Sequence, residues 1–380
     1  MQTVGVICEY NPFHLGHKKQ LDMIRSAYGS DAYIVCLMSG NFVQRGQPAI
    51  FDKMRRAEAA VRSGADLVLE LPVTYALSSA EGFAAGGVSI LGQFCDTLCF
   101  GAETADAELL TQVAKALLSP DFSAALRTHL DAGLSFPAAR QAALLDLGLD
   151  GSILETPNNI LAVEYCKAVL AQGSSMKLMP IHRCGSYHDH EADAQNPSAT
   201  AVRKLITEGG DWLTFVPESV RDVLHSATVH TPEVGEKAIL AKLRTMTDAE
   251  FEALPYGSEG LWRKLMHASR KASTLEDILS ATKSKRYTRT RLDRMVMCAF
   301  LGISSKDLQT PAPYTRVLAF NDRGRRVLNA KKEGGYLRNI GEDTQHPYQD
   351  LERRCTALYG LFADTPEGPD AEQNYRIIVR

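Results

Sequence analysis

The stretch Thr3-Val4-Gly5-Val6-Ile7-Cys8-Glu9-Tyr10-Asn11-Pro12-Phe13-His14-Leu15-Gly16-His17 decides the fold. Its first six residues form a short, largely β-branched apolar run, the pattern of a buried strand. A polar, proline-bearing loop follows, and from Leu15 apolar residues return at helical spacing as far as Tyr28. Pro12 holds Asn11 out of the helical region, and Gly16 lets another backbone or a ligand come close. His14 and His17 are three residues apart, so one helical turn points both rings the same way. Two imidazoles beside the exposed N–H groups of a helix start make a site for phosphate oxygens.

The same alternation continues outward. Residues 32–38 (AYIVCLM) predict a second strand and 51–63 a second helix; 66–71 (DLVLEL) a third strand, ended by Pro72, and 79–94 a small-residue helix. A fourth strand over 97–100 closes at Gly101, residues 105–150 read as Ala- and Leu-rich helix, 158–172 as an amphipathic helix, and 176–183 as a fifth strand. Strands alternating with helices predict an α/β fold, a parallel sheet with helices on both faces. Ligands of such sheets bind outside the carboxyl ends of the strands, so the loops after Cys8 and Phe100 face one site. Beyond Pro217 the pattern changes to helices, many of them basic, with one strand over 314–320. The expected organisation is a sheet domain over residues 1–215 and a mainly helical basic domain over 216–380.

Composition limits the classes open to the chain. At 380 residues and 45% hydrophobic it can bury its cores without disulfide staples. A net charge of −3 means that any nucleic-acid site is a local patch rather than a global property. Eight cysteines without a CxxC pair read as reduced, buried thiols of a reducing compartment. No leader-like or membrane-spanning run is visible, so the expectation is a cytoplasmic protein with no membrane partner. His188 and His190 lack a third ligand at convincing spacing, so they read as a polar loop, and no metal site is assigned.

One histidine pair cannot hold a triphosphate, and a second motif supplies what it lacks. Ser198-Ala199-Thr200-Ala201-Val202-Arg203 places two hydroxyls at a helix start and a guanidinium one turn on. Ser198 suits the N-cap, worth about 1 kcal/mol, and such a helix start with an Arg also suits departing phosphates. Between Arg263 and Arg294 there are ten Lys/Arg against three acids, a local +7. Within it Lys285, Arg286, Tyr287, Arg289, Arg291 and Arg294 combine cations with an aromatic ring, the footprint of RNA phosphate binding, with Tyr287 able to stack on an unstacked base. Arg323, Arg325, Arg326, Lys331 and Lys332 form a second cluster. The Gln44-Arg45-Gly46 turn and the Asp52-Lys53 pair read either as substrate contacts or as a structural loop with an N-cap at Asp52. One of Glu70 and Glu81 reads as a buried, paired carboxylate.

The HxGH string with the distal SxTxxR resembles the HIGH-motif nucleotidyltransferase superfamily. With EYNPFHLGH, SGNFVQRGQPAIFDK (39–53), DLVLELP (66–72) and KRYTRTRLDR (285–294), the chain is similar to the tRNA(Met) cytidine acetate ligase family. That resemblance implies a Rossmann-like nucleotidyltransferase domain, activation of acetate by ATP as acetyl-adenylate, and acetylation of N4 of the wobble cytidine of elongator tRNA(Met). It implies His14, His17 and Arg203 as catalytic residues. It also implies an ATP site of Ile7, Glu9, Tyr10, Asn11, Pro12, Phe13, His14, Gly16, His17, Gln20, Gly101, Asn159, Arg183, Ser198, Thr200 and Arg203, with Asn158 a competitor for Asn159. Mg²⁺ would accompany the phosphates, and the partners are acetate and tRNA rather than DNA. Leu15 and Ala102 depart from the family pattern, which has Asn and Ser there. Two further readings fit the residues: an adenylyltransferase acting on a small metabolite, and a non-catalytic RNA-binding protein on a nucleotide fold.

Overall fold

The computed structural model describes residues 2–183, 197–284, 286–330 and 336–380. The chain runs β1 (Thr3–Cys8), α1 (Leu15–Tyr28), β2 (Tyr33–Ser39), a small hairpin of β3 (Phe42–Val43) and β4 (Gln47–Pro48), α2 (Lys53–Arg62) and β5 (Leu67–Leu71). It continues through α3 (Val73–Ala76), α4 (Ala80–Leu91), β6 (Thr97–Ala102), α5 (Ala107–Leu117), α6 (Pro120–Asp131), α7 (Phe136–Asp146), α8 (Pro157–Ala171), β7 (Lys177–His182) and α9 (Ala199–Glu208). Then come α10 (Arg221–His225), α11 (Pro232–Thr245), α12 (Asp248–Glu252), α13 (Leu261–Ser269), α14 (Leu275–Thr282), α15 (Arg289–Leu301) and α16 (Ser305–Gln309). The C-terminal part holds β8 (Thr315–Phe320), α17 (Asp322–Ala330), β9 (Leu337–Asn339), α18 (Pro347–Tyr359), α19 (Ala371–Asn374) and β10 (Ile378–Val379). The expected strands and helices of the first two hundred residues are all present, with ends moved by at most four residues and the 105–150 stretch divided into α5, α6 and α7.

Among the described residues eight strands form one sheet in the order β10-β8-β5-β2-β1-β6-β7, with β9 also beside β8. β1 is central and pairs in parallel with β2 and β6, each strand buried on both faces. One face packs against α1 and α2 through Val4, Val6, Ile34 and Val68. The other packs against α4, α5 and α8 through Val35, Leu37, Leu69 and Phe100. A parallel sheet covered twice requires apolar side chains on both faces, which is why its strands read as near-continuous apolar runs.

The region after residue 215 is mainly helical, as expected, and α11, α13–α15 and α18 enclose a core of their own. The expected division into residues 1–215 and 216–380 nevertheless needs correction. The strand anticipated over 314–320 does not stay with the helices: β8 pairs antiparallel with β5, and β9 and β10 pair with β8. Residues Thr315–Ala319 are buried on both faces, and only the sheet can cover both.

Buried charges fix this return. Lys53, at the start of α2, donates to Glu70 of β5 (2.9 Å) and to Glu372 of α19 (2.8 Å). Arg316 of β8 pairs with Glu70 (2.6 Å), with Glu352 of α18 (3.2 Å) and with Glu372. Removing one partner of a buried network leaves uncompensated charge, which costs about 3–5 kcal/mol. Lys53→Met, which strips the cation from Glu70 and Glu372, is expected to lower the unfolding free energy by about that much, read as a shift in urea midpoint at unchanged slope.

Candidate nucleotide-binding active site

The site is built where β1 ends. After Glu9 the chain turns through Tyr10, at φ +46°, and a cis Asn11–Pro12 peptide. Arg56 of α2, wholly buried, donates to the carbonyls of Glu9 (2.6 Å), Ser39 (3.1 Å), Phe51 (2.8 Å) and Gly40. The Asn11 side-chain oxygen accepts from the Ile50 N–H at 2.7 Å. Its carbonyl accepts from Arg203 Nη1 at 2.6 Å, which brings the start of α9 over the start of α1.

Helix α1 opens with a capping box made of two histidines. His14 Nδ1 accepts from the Gly16 N–H at 3.1 Å, and His17 Nδ1 accepts from the His14 N–H at 3.3 Å. The rings stack with centroids 3.7 Å apart. Because both Nδ1 atoms accept, each neutral ring carries its proton on Nε2, and His14 Nε2 has no partner among the described residues. Gly16 is required by this geometry: a Cβ there would stand 2.9 Å from His14 Cε1. Burial first, then the charges of Arg183 and Arg203, lowers the His14 pKa to about 3. Burial, His14 and Arg183 hold His17 well below its ordinary value. The pair is therefore a neutral double donor set among guanidiniums. The sequence reading of rings facing the same way holds, whereas the exposed N–H groups it invoked are partly occupied by the rings themselves.

The other strand ends complete the mouth. Gly101 on β6 lies flush with Arg183, whose Cδ would be 2.6 Å from an added Cβ. Arg183 Nη1 donates to Asn158 Oδ1 at 3.2 Å. Asn159, by contrast, is buried and turned to Thr104, so of the two asparagines it is Asn158 whose side chain meets Arg183. Glu103, overlooked in the sequence although it ends the FGAE turn, accepts from Thr156, Asn158 and the Asn159 N–H. Burial raises its pKa, and those bonds outweigh it to hold the carboxyl low. Ser198 caps α9 by accepting from the Ala201 N–H, and Thr200 Oγ1 accepts from Arg203. The remaining members of the proposed ATP loop sit behind this surface. Tyr10 and Phe13 are core residues under the histidines, Ile7 packs against α4 at Gly87, and Gln20 reaches Cys99 Sγ.

The basic stretch is less open than its composition suggests. Arg286 pairs with Glu259, Tyr287 donates to the same carboxylate, and Arg289 bridges Glu276 and Asp293. Arg291 donates to the Tyr256 carbonyl and stacks on Tyr287. Arg294 requires correction as an RNA contact: it is buried, lies over the Tyr256 ring and reaches the Gln44 carbonyl at 3.4 Å. Lys285, Lys331, Lys332, His188 and His190 lie outside the described residues. Arg323 is tied to Asp66 at the amino ends of the strands, so the second cluster starts at the edge of the sheet opposite the mouth. Asp52 is an N-cap, Lys53 and Glu70 belong to the buried network, and Glu81 is exposed beside Lys167.

Residues 1–374 match the family described as HIGH Nucleotidyl Transferase. A Clostridium perfringens protein named tRNA(Met) cytidine acetate ligase is 34% identical over 95% of this chain and 96% of its own length. The Clostridium novyi protein of the same name is 37% identical over 88% of each. Among solved structures, apo TmcAL of Thermotoga maritima gives a TM-score of 0.90 at 31% identity over 100% of both chains. TmcAL of that organism bound with alpha-thio ATP gives 0.87 at 30% identity, again over 100% of both chains. With the histidine pair at the end of β1, the arginines around it and this agreement along the whole chain, the protein belongs to the tRNA(Met) cytidine acetate ligase family of HIGH nucleotidyl transferases.

Proposed function

We propose that the protein is an ATP-dependent ligase that activates acetate as acetyl-adenylate and transfers the acetyl group to N4 of the wobble cytidine of elongator tRNA(Met), releasing AMP and pyrophosphate. The observation that carries the first half is the stacked, neutral His14–His17 pair at the end of β1, with Arg183 and Arg203 close enough to depress its titration. An acetate oxygen attacks the α-phosphorus, and charge grows on the departing pyrophosphate. In-line transfer of this kind is accelerated by positioning and charge neutralisation rather than by covalent chemistry. The Nε2 donors of His14 and His17 supply hydrogen bonds on one side, Arg203 and the Ser198 helix start on the other. Mg²⁺ would supply further neutralisation. Among the described residues no group of three His, Cys, Asp or Glu side chains could hold an ion, so the nucleotide's own oxygens would be its main ligands.

The acceptor half of the reading rests on the helical body. Arg263, Lys264, Lys283 and Arg286 are exposed on α13 and around the start of α15, beside the half-buried Tyr287. They form the face we assign to RNA phosphates. A small-metabolite adenylyltransferase would have no use for such a face. Among the described residues no helix is long and apolar enough to cross a membrane, and a cytoplasmic location fits a tRNA-modifying ligase.

Radiolabelled acetate should pass to unmodified elongator tRNA(Met) only with ATP. His14→Asn, which keeps an N-capping side chain, should slow acetate-dependent pyrophosphate exchange by about 10²–10³-fold; a full rate in the folded variant would remove His14 from the phosphates. Stability gives a second check. The folded His14 pKa is about 3 against an ordinary 6.5, so between those values the unfolded chain binds a proton that the folded chain refuses. Stability should therefore fall as pH drops from 6.5 towards 3, and urea midpoints of His14→Asn should fall less steeply. For RNA, Arg263→Ala with Arg286→Ala should weaken tRNA binding and flatten the logarithmic salt dependence by about 0.7–0.9 per lost contact.

A further inference from the structure

Transfer of an acetyl group to a cytosine amine needs a proton acceptor, because the exocyclic nitrogen is conjugated and weakly nucleophilic. The side chains around the mouth leave few choices. His14 and His17 carry their protons on Nε2 and have depressed pKa values, so neither takes up a proton near neutral pH. Glu103 is engaged by Thr156, Asn158 and the Asn159 N–H and held in its ionised form. Cys8, Tyr10 and Tyr165 are raised by burial and remain protonated.

Glu9 is different. It is the residue after β1, and it is held from two sides: its carbonyl accepts from Arg56 at 2.6 Å, and Oε1 accepts from the Gln44 N–H at 2.7 Å. Among the described residues no other hydrogen bond or ion pair engages the carboxylate. Gln44 is also the residue whose carbonyl meets Arg294 of α15, and Gly46 beside it packs on the Asp293–Arg294 backbone. Glu9 thus stands where the nucleotide site and the helical body meet, and it keeps partial exposure.

We infer that the Glu9 carboxylate is the general base of the acetyl-transfer step, an inference that rests on the function proposed above. The cytidine N4 lone pair attacks the carbonyl carbon of acetyl-adenylate. The new C–N bond forms, the C–O bond to phosphate breaks with its electron pair leaving on AMP, and the N4 proton passes to the unengaged oxygen of Glu9 and then to water. Burial raises the proton affinity of this carboxylate, while the Gln44 N–H and the charges of Arg203, Arg45 and Arg56 lower it. Tyr165, from α8, also lies within charge range of the Glu9 carboxylate.

The test separates the two half-reactions in Glu9→Gln, whose amide oxygen can still accept from Gln44. Acetate-dependent pyrophosphate exchange reports adenylation, and single-turnover transfer from preformed acetyl-adenylate to tRNA reports the second step. The expected result is a transfer rate lower by about 10²-fold or more, with exchange reduced by under about tenfold. Wild-type transfer should rise with pH to a plateau, and that rise should vanish in the variant. Equal loss in both steps would make Glu9 part of the nucleotide site or the fold and overturn the inference, as would undiminished transfer. Wild-type enzyme that forms the adenylate but never acetylates the RNA would instead overturn the functional reading itself, and the inference with it.

Discussion

A guanidinium sealed beneath the strand ends organises this molecule. Arg56 has no solvent exposure, and it donates to four main-chain carbonyls drawn from the end of β1, the end of β2 and the turn before α2. Those carbonyls lie at or just beyond strand ends and in a turn, where buried backbone acceptors must be satisfied by something else. A planar, permanently charged fork can satisfy several at once, which a lysine could not. The loop carrying the histidines starts from the first of these carbonyls, so its position follows from this contact.

The histidine pair resolves two requirements with the same atoms. The first turn of α1 leaves N–H groups without helical partners, and the Nδ1 atoms of His14 and His17 accept two such N–H groups. That choice fixes the tautomer and leaves the proton of each ring on Nε2, which at His14 is buried and has no hydrogen-bond partner among the described residues. Burial first, and the neighbouring arginines after it, keep the rings neutral, so the site offers donors from the rings and charge from Arg183 and Arg203. Anion binding and helix capping are here one arrangement rather than two.

The C-terminal part closes the structure by electrostatics as much as by apolar packing. Two cations, Lys53 and Arg316, are shared among Glu70, Glu352 and Glu372 from five separate elements. With three acids against two cations, one carboxyl is in excess. Burial pushes Glu352 up to about 7 despite the pull of Arg316. Such a cluster tolerates few alternative pairings, so it specifies how β8, α18 and α19 return to a sheet begun three hundred residues earlier.

The alternation of strands and helices, the caps at Asp52 and Ser198, and the position of the HxGH turn were all legible in the sequence. Each depends on neighbours within a few residues, through apolar periodicity and capping of the nearest N–H groups. Arg203 was read from its helix-start motif and Arg183 from the resemblance, and the tertiary structure brought both into charge range of His14. What the residues could not reveal on their own was burial and pairing. Arg294 stands in a basic run yet is enclosed against Tyr256, and Asn158 rather than Asn159 meets Arg183. The strand over 314–320 completes the first sheet rather than serving the helices around it. Arg203 reaches Asn11 across 192 positions, and Lys53 reaches Glu372 across 319. A side chain's charge state, tautomer and exposure are set by whatever the fold brings beside it, and at such separations only the tertiary structure decides that.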